Sequence, residues 1–212
     1  MKRGLLITVA VLAFLGLTWV FPLFRIVPLE EVAAARASAQ FDAKTFSQDF
    51  WTKHLVPGFE HATDASTLIN AIKDDPEAAR NEFGRSVGIG RVYLYFFRGE
   101  GKIIAVEKSG VAISCVVPDD EADIVLKTGL LFGNTVRDST GALVSSNFAN
   151  SQDFNAISKE LNAIVERDVQ PKLKSNAKVG VKIRFVACAE VRASSKKILP
   201  STAIPLQVEF PQ

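Results

Sequence analysis

Residues Asn134 to Asn155 hold the densest run of side chains able to grip a neutral polar ligand. The stretch contains GNTVRDS and then NFANSQDFN. Planar amides and a guanidinium–carboxylate pair offer donors and acceptors in pairs, the pattern that adjacent sugar hydroxyls match. Phe148 or Phe154 would add an apolar platform. The ligand-binding candidates are Asn134, Thr135, Arg137, Asp138, Asn147, Asn150 and Gln152. A structural reading competes: Arg137 and Asp138 pair locally, while Asn147, Asn150 and Gln152 satisfy backbone groups at turns and caps. Both readings are open, and substituting Arg137 and Asn150 separates them: lost stability favours structure, lost binding alone favours a site.

Other chemistry-bearing residues lead nowhere so specific. His54 and His61 are the only histidines, and Pro57-Gly58 interrupts the helix that would align them. No cysteine or carboxylate cluster has metal-ligand spacing, so no metal and no cofactor are expected. Gly84, Gly88 and Gly90 read as turn glycines, because a dinucleotide fingerprint follows a strand and these precede one. No nucleophile elbow, P-loop or zinc-protease motif occurs, so the chain is not expected to be an enzyme; a hydrolase would need turnover that Asp138 or His54 substitution abolishes. Cys115 and Cys188 sit in strand-like apolar runs. A disulfide is permitted in an oxidising compartment, but two separate buried thiols are the preferred reading.

The elements that must position these residues fall into two halves. Phe46, Phe50, Trp51 and Leu55 recur at helical spacing until Pro57. Asp64 caps a second short helix, DASTLINAI, and Pro76 opens a third, PEAARNEF, which Gly84 ends. β-Branched and aromatic runs come next: VGIGRVYLYFFR, a turn at Gly99-Glu100-Gly101, KIIAVE, VAISCVV and ADIVLKTGLLF, then a short run ALVSS. One strong helix, FNAISKELNAIVERDV, has Asp153 as its expected N-cap, and the strands VGVKIRFVACAEVR and TAIPLQVEF close the chain. Antiparallel strands with a helix before the last two predict an α+β domain built on an OB-like barrel. A β-sandwich with added helices is the alternative, and the lack of βαβ alternation argues against a Rossmann-type sheet.

Ahead of this domain (residues 41–212) lie an Ala-rich linker or stalk (29–40) and an apolar segment (1–28). Gly4–Phe24 is an uncharged run long enough to span a ~30 Å hydrocarbon core. Lys2 and Arg3 before it place the N-terminus in the cytoplasm and the domain in the periplasm, a single-pass inner-membrane topology. The competing reading is a cleaved signal, with Ala37-Ser38-Ala39 before Gln40 as the cleavage site. The chain has 25 basic and 23 acidic residues. Lys2, Arg3 and Arg25 belong to the apolar segment, so the rest is close to neutral and nucleic acid is not an expected partner.

Several of these stretches resemble an uncharacterised bacterial family of predicted periplasmic lipoproteins, often encoded beside sugar ABC-transporter genes. The matching residues are Phe41-Asp42, Trp51 with Leu55-Val56-Pro57, Asp75-Pro76 and Gly99-Glu100-Gly101-Lys102. They continue through Gly133-Asn134-Thr135-Val136-Arg137-Asp138, Phe148-Ala149-Asn150-Ser151-Gln152 and Leu161-Asn162. The resemblance spans roughly residues 25 to 210. It implies an OB-like fold and no known activity. Its implied partners are sugar ABC-transporter components or a sugar. Two motifs carry insertions here, at Asn134 and near Ser151. Arg25-Ile26-Val27-Pro28 matches the residues next after the family's lipid-bearing cysteine, and Phe24 stands in that cysteine's place. Attachment then falls to the apolar run itself.

Overall fold

The computed structural model describes residues 41–87, 92–116, 121–148, 150–195 and 198–211, together with Gly4, Pro28 and Glu30. The expected membrane helix and the Ala-rich stalk lie outside the described residues, those isolated positions apart. Among the described residues no helix is long and apolar enough to cross a membrane.

Three helices open the domain, each started by an aspartate that accepts backbone N–H groups. Asp42 caps α1 (Ala43–Phe50) through the Thr45 N–H. A π-helical turn at Trp51–Leu55 and a 3-10 turn at Pro57–His61 extend α1, so Pro57 changes the helix type instead of ending the coil. Asp64 caps α2 (Ala65–Asp74). Asp75 caps α3 (Pro76–Phe83), with Pro76 in the first turn where it sacrifices no hydrogen bond. Leu68, Ile69 and Ile72 of α2 are buried, as are Phe50 and Leu55 ahead of them.

The strands are β1 (Thr63–Asp64), β2 (Arg85–Val87), β3 (Val92–Glu107), β4 (Gly110–Ser114), β5 (Ile124–Lys127), β6 (Lys182–Arg192) and β7 (Ser201–Glu209). Neighbours run β3-β4-β5-β7-β6, and β6 pairs back onto β3, which closes five strands into a barrel. β1 and β2 add short pairings to β3. The expected all-antiparallel barrel needs correction, because β5 and β7 pair in parallel. A closed ring of five strands cannot alternate direction throughout, so one neighbouring pair must be parallel. The helix expected before the last two strands is present as α5 (Ser151–Ile164), continued by a π-helical turn at Val165–Val169 and by α6 (Gln170–Asn176). Its apolar face (Ile157, Leu161, Ile164, Val165, Leu173) is buried. A four-residue helix, α4 (Thr135–Asp138), precedes it, and ALVSS forms no strand but leads into a 3-10 turn at Ser145–Asn147.

Gly99-Glu100-Gly101 is not a turn. β3 runs through it, pairing Gly99 with Phe185 and Gly101 with Ile183. The glycines are there for close approach. A Cβ on Gly99 would lie 2.6 Å from the Ala65 Cβ, and one on Gly101 would meet Ile113 Cγ2 and stand 2.6 Å from the Ser114 carbonyl oxygen. A single strand can therefore serve β6 along one half and β4 along the other. Gly101→Ala is expected to lower unfolding free energy by about 2 kcal/mol, the scale of overpacking against backbone that cannot retreat. Urea denaturation measures it, and an unchanged midpoint would contradict the close-packing reading. Pro205, unusual inside a strand, sits where the β6–β7 register shifts, a bulge that spares the ladder a donor.

Candidate functional site

The polar segment folds into a knot of internal bonds. Arg137 is 4% exposed. Its Nε and Nη2 donate to the two carboxylate oxygens of Asp138 at 2.6 and 2.9 Å. Its Nη1 donates to the Phe154 carbonyl at 3.0 Å, and its guanidinium lies 3.6 Å over the Phe154 ring. Thr135, also buried, donates to Glu190 of β6 at 3.2 Å. Together these bonds clamp α4 between β6 and the start of α5. Phe148 lies between Phe46 and Phe154, with ring centroids 5.5 and 5.1 Å away. The apolar platform expected for a sugar is thus already covered by protein groups.

Asn150, not Asp153, caps α5: its Oδ1 accepts the Asp153 N–H at 2.8 Å, and its Nδ2 donates to the Asp153 carboxylate. Asp153 is the third helical residue, and its carboxylate meets the cap's side-chain amide in place of the cap's backbone N–H. Asn134, Asn147 and Gln152 are exposed, Asn134 at the start of α4 and Asn147 at the end of the 3-10 turn. The structure therefore brings Arg137 and Asp138 together, sets Thr135 on a different partner, and leaves the exposed amides on separate elements. His54 stacks on Phe50 at 5.7 Å. Cys115 and Cys188 are free thiols, both pushed up to about 12, chiefly by burial. Among the described residues no group of histidine, cysteine and carboxylate side chains is arranged to hold a metal.

A concave surface lies elsewhere, on the barrel wall. A groove of about 310 Å³ runs over the barrel wall where β3, β6 and β7 lie side by side. Alternate residues of the three strands meet there: Arg98 and Glu100 from β3, Arg184 from β6, and Gln207 and Glu209 from β7, with Asp64 at one margin. Strand registry explains the grouping. Asp64 pairs with Arg98, Glu100 with Arg184, and Arg184 with Glu209. Arg184 Nε donates to Glu100, while exposed Arg98 is in no ion pair among the described residues. The Asp64 carboxyl is held below the usual carboxylate range, first by the Ser66 hydroxyl and then by the Thr67 N–H. The groove thus presents carboxylates and guanidinium groups from neighbouring strands, with the apolar Val186 paired between Arg98 and Gln207. Sequence reading missed it because its members lie far apart along the chain. Only the period-two placing of Arg98 with Glu100, and of Gln207 with Glu209, hinted at a polar outer face.

A family model described as a predicted periplasmic lipoprotein (DUF2291) matches residues 9–209. The chain belongs to that family. No curated protein matches it. A crystal structure of an OB-fold protein from Thermotoga maritima is similar, with 28% sequence identity and a TM-score of 0.73. The match covers 81% of this chain and 99% of that one. The DUF2291 chain is accordingly an α+β protein with an OB-type barrel, and the family description places it with periplasmic, membrane-associated proteins. The segments that carry the resemblance have physical roles in this structure. Arg137-Asp138 is the buried ion pair, Asn150 is a helix cap, and Asn162 Nδ2 donates to the Gly133 carbonyl at 3.1 Å.

Proposed function

We propose that this chain is a non-enzymatic accessory protein that stays attached to the inner membrane through Gly4–Phe24 and binds a small polar solute in the groove on its periplasmic domain. A sugar is the ligand class that the lining suits, and components of a sugar ABC transporter are the partners proposed. The observation that carries this reading is the groove itself. Its volume falls at the lower end of the ~300–1,000 Å³ range of small-molecule sites. Its carboxylates and guanidiniums offer paired acceptors and donors to neighbouring hydroxyls. The Asn134–Asn155 candidates fit the structural role better, since Arg137, Asp138 and Asn150 already spend their polar atoms on the protein.

Titration calorimetry of the full chain against mono- and disaccharides tests the proposal. A bound sugar should lose about ten-fold in affinity with Arg98→Ala, a change of ~1.4 kcal/mol, and keep its affinity with Gln152→Ala. If no sugar in the panel binds, the uptake reading is dropped. A second reading, an envelope interaction module with no small-molecule ligand, is favoured by the internal use of Arg137 and Asp138. It expects no binding and a marked loss of stability on substitution there.

A further inference from the structure

Between β5 and α4 the chain exposes two large apolar side chains that the fold has gone to some length to present. Leu130 is 70% exposed and Phe132 is 76% exposed, while Leu131 between them is buried. Gly129 (φ 99°) and Gly133 (φ 87°) bracket the three residues in the left-handed region, which other residues enter only with strain. The loop is tied down along its length by one face of the helical segment formed by α5, its π-helical turn and α6. Gln170 grips Gly129 with both amide atoms, its Oε1 accepting the N–H at 2.9 Å and its Nε2 donating to the carbonyl at 2.9 Å. Glu166 accepts the Leu131 N–H, and Asn162 donates to the Gly133 carbonyl. Asn162, Glu166 and Gln170 recur every four residues, so they line one face. At the loop's start, Thr128 is fixed to the β3–β4 hairpin through Lys108 and Ser109. Exposure here is built in, since the bonds at Gly129, Leu131 and Gly133 fix the loop with Leu131 inward and its two neighbours outward.

We propose that this loop is a bilayer contact, with Leu130 and Phe132 entering the boundary between headgroups and acyl chains of the membrane that holds the chain. The inference rests on the tethered reading above. The two side chains offer roughly 250 Å² of apolar surface, against the ~800 Å² per partner of a stable protein interface. That is too little to recruit a free partner. It is enough for a domain already confined beside a membrane, because the tether removes the cost of association. Residues 25–40 reach at most about 55 Å when fully extended, which keeps the domain within range of the surface. Flanking charge is balanced, Lys108 and Lys127 against Glu107 and Glu166, so the contact is apolar insertion rather than adsorption to anionic lipid.

The test uses the full chain with Phe132→Trp, reconstituted in phosphatidylethanolamine–phosphatidylglycerol vesicles with brominated acyl chains, against the parent to subtract Trp19 and Trp51. The expected result is that emission from the new tryptophan falls about two-fold or more relative to unbrominated vesicles. Adding Leu130→Ser should weaken the quenching, and higher salt should not. Emission untouched by bromine and open to acrylamide, in a chain that floats with the vesicles, overturns the loop contact and leaves the tether intact. Emission shielded from both quenchers overturns it in favour of a protein face. A chain that does not float removes the tether and this inference with it.

Discussion

Arg137→Ala is expected to lower the free energy of unfolding by about 3–5 kcal/mol, the largest effect of any single substitution in the polar segment. The guanidinium and the Asp138 carboxylate are 5% and 12% exposed. Deleting the cation strands an anion in a place water barely reaches, and that is where most of the loss arises. The remainder comes from the Phe154 carbonyl and ring, which lose their partner. Arg137→Lys is expected to recover only part, because a single ammonium cannot reproduce the two-pronged contact to Asp138. Removing both charges with Arg137→Met and Asp138→Leu should cost less than the first change alone. Urea denaturation of the parent, Arg137→Met, Asp138→Leu and the double variant gives the coupling energy directly. A loss below ~1 kcal/mol for Arg137→Ala, accompanied by lost solute binding, would move the ligand site back to this segment.

Asp123→Ala should cost about 3–4 kcal/mol. Asp123 is 2% exposed and was not marked by any motif. Its Oδ2 accepts the N–H groups of Cys115 and Val116 at 2.9 and 3.1 Å, and its Oδ1 pairs with Lys73 of α2 at 3.0 Å. Its backbone bonds to Ile113 and Ser201, so one residue joins β4, the start of β7 and the helical front of the domain. Asp123→Asn keeps an oxygen for the backbone donors and should cost about half as much. The Cys115 thiol provides a second readout. It is pushed up to about 12, first by burial and then by the nearby Asp123 charge. Losing that charge and loosening the surrounding backbone both lower it, so alkylation by iodoacetamide should quicken in Asp123→Ala. Unchanged stability and unchanged labelling would contradict the role assigned to Asp123.

Features set by local chemistry were legible from the residues alone. Asp64 and Pro76 announced the starts of α2 and α3, and the periodicity of Ile157, Leu161, Ile164 and Val165 announced α5. The order of strands and helix was sufficient to suggest the OB-type barrel. Features that depend on distant neighbours were not legible. Gly99 and Gly101 carry a turn signature, yet their purpose is set by Ala65 and Ile113 across the sheet. Asp153 and Asn150 are both good caps, but Asn150 has the extended backbone of a cap (φ −152°, ψ 164°) while Asp153 already lies in the first helical turn. The parallel pairing of β5 with β7 comes from closing an odd-numbered ring, which no local pattern encodes. The groove is the extreme case, since Glu100 and Arg184 stand 84 residues apart in the chain.

Attachment to the membrane underlies both the proposed function and the loop contact. The intact mass of the protein extracted from cell envelopes tests it most directly. The expected mass is that of a chain that retains Gly4–Phe24 and carries no thioether-linked lipid there, because both cysteines, Cys115 and Cys188, lie in the domain. A mature chain beginning at Gln40 would contradict it, showing that Gly4–Phe24 had served as a signal and that the domain is released.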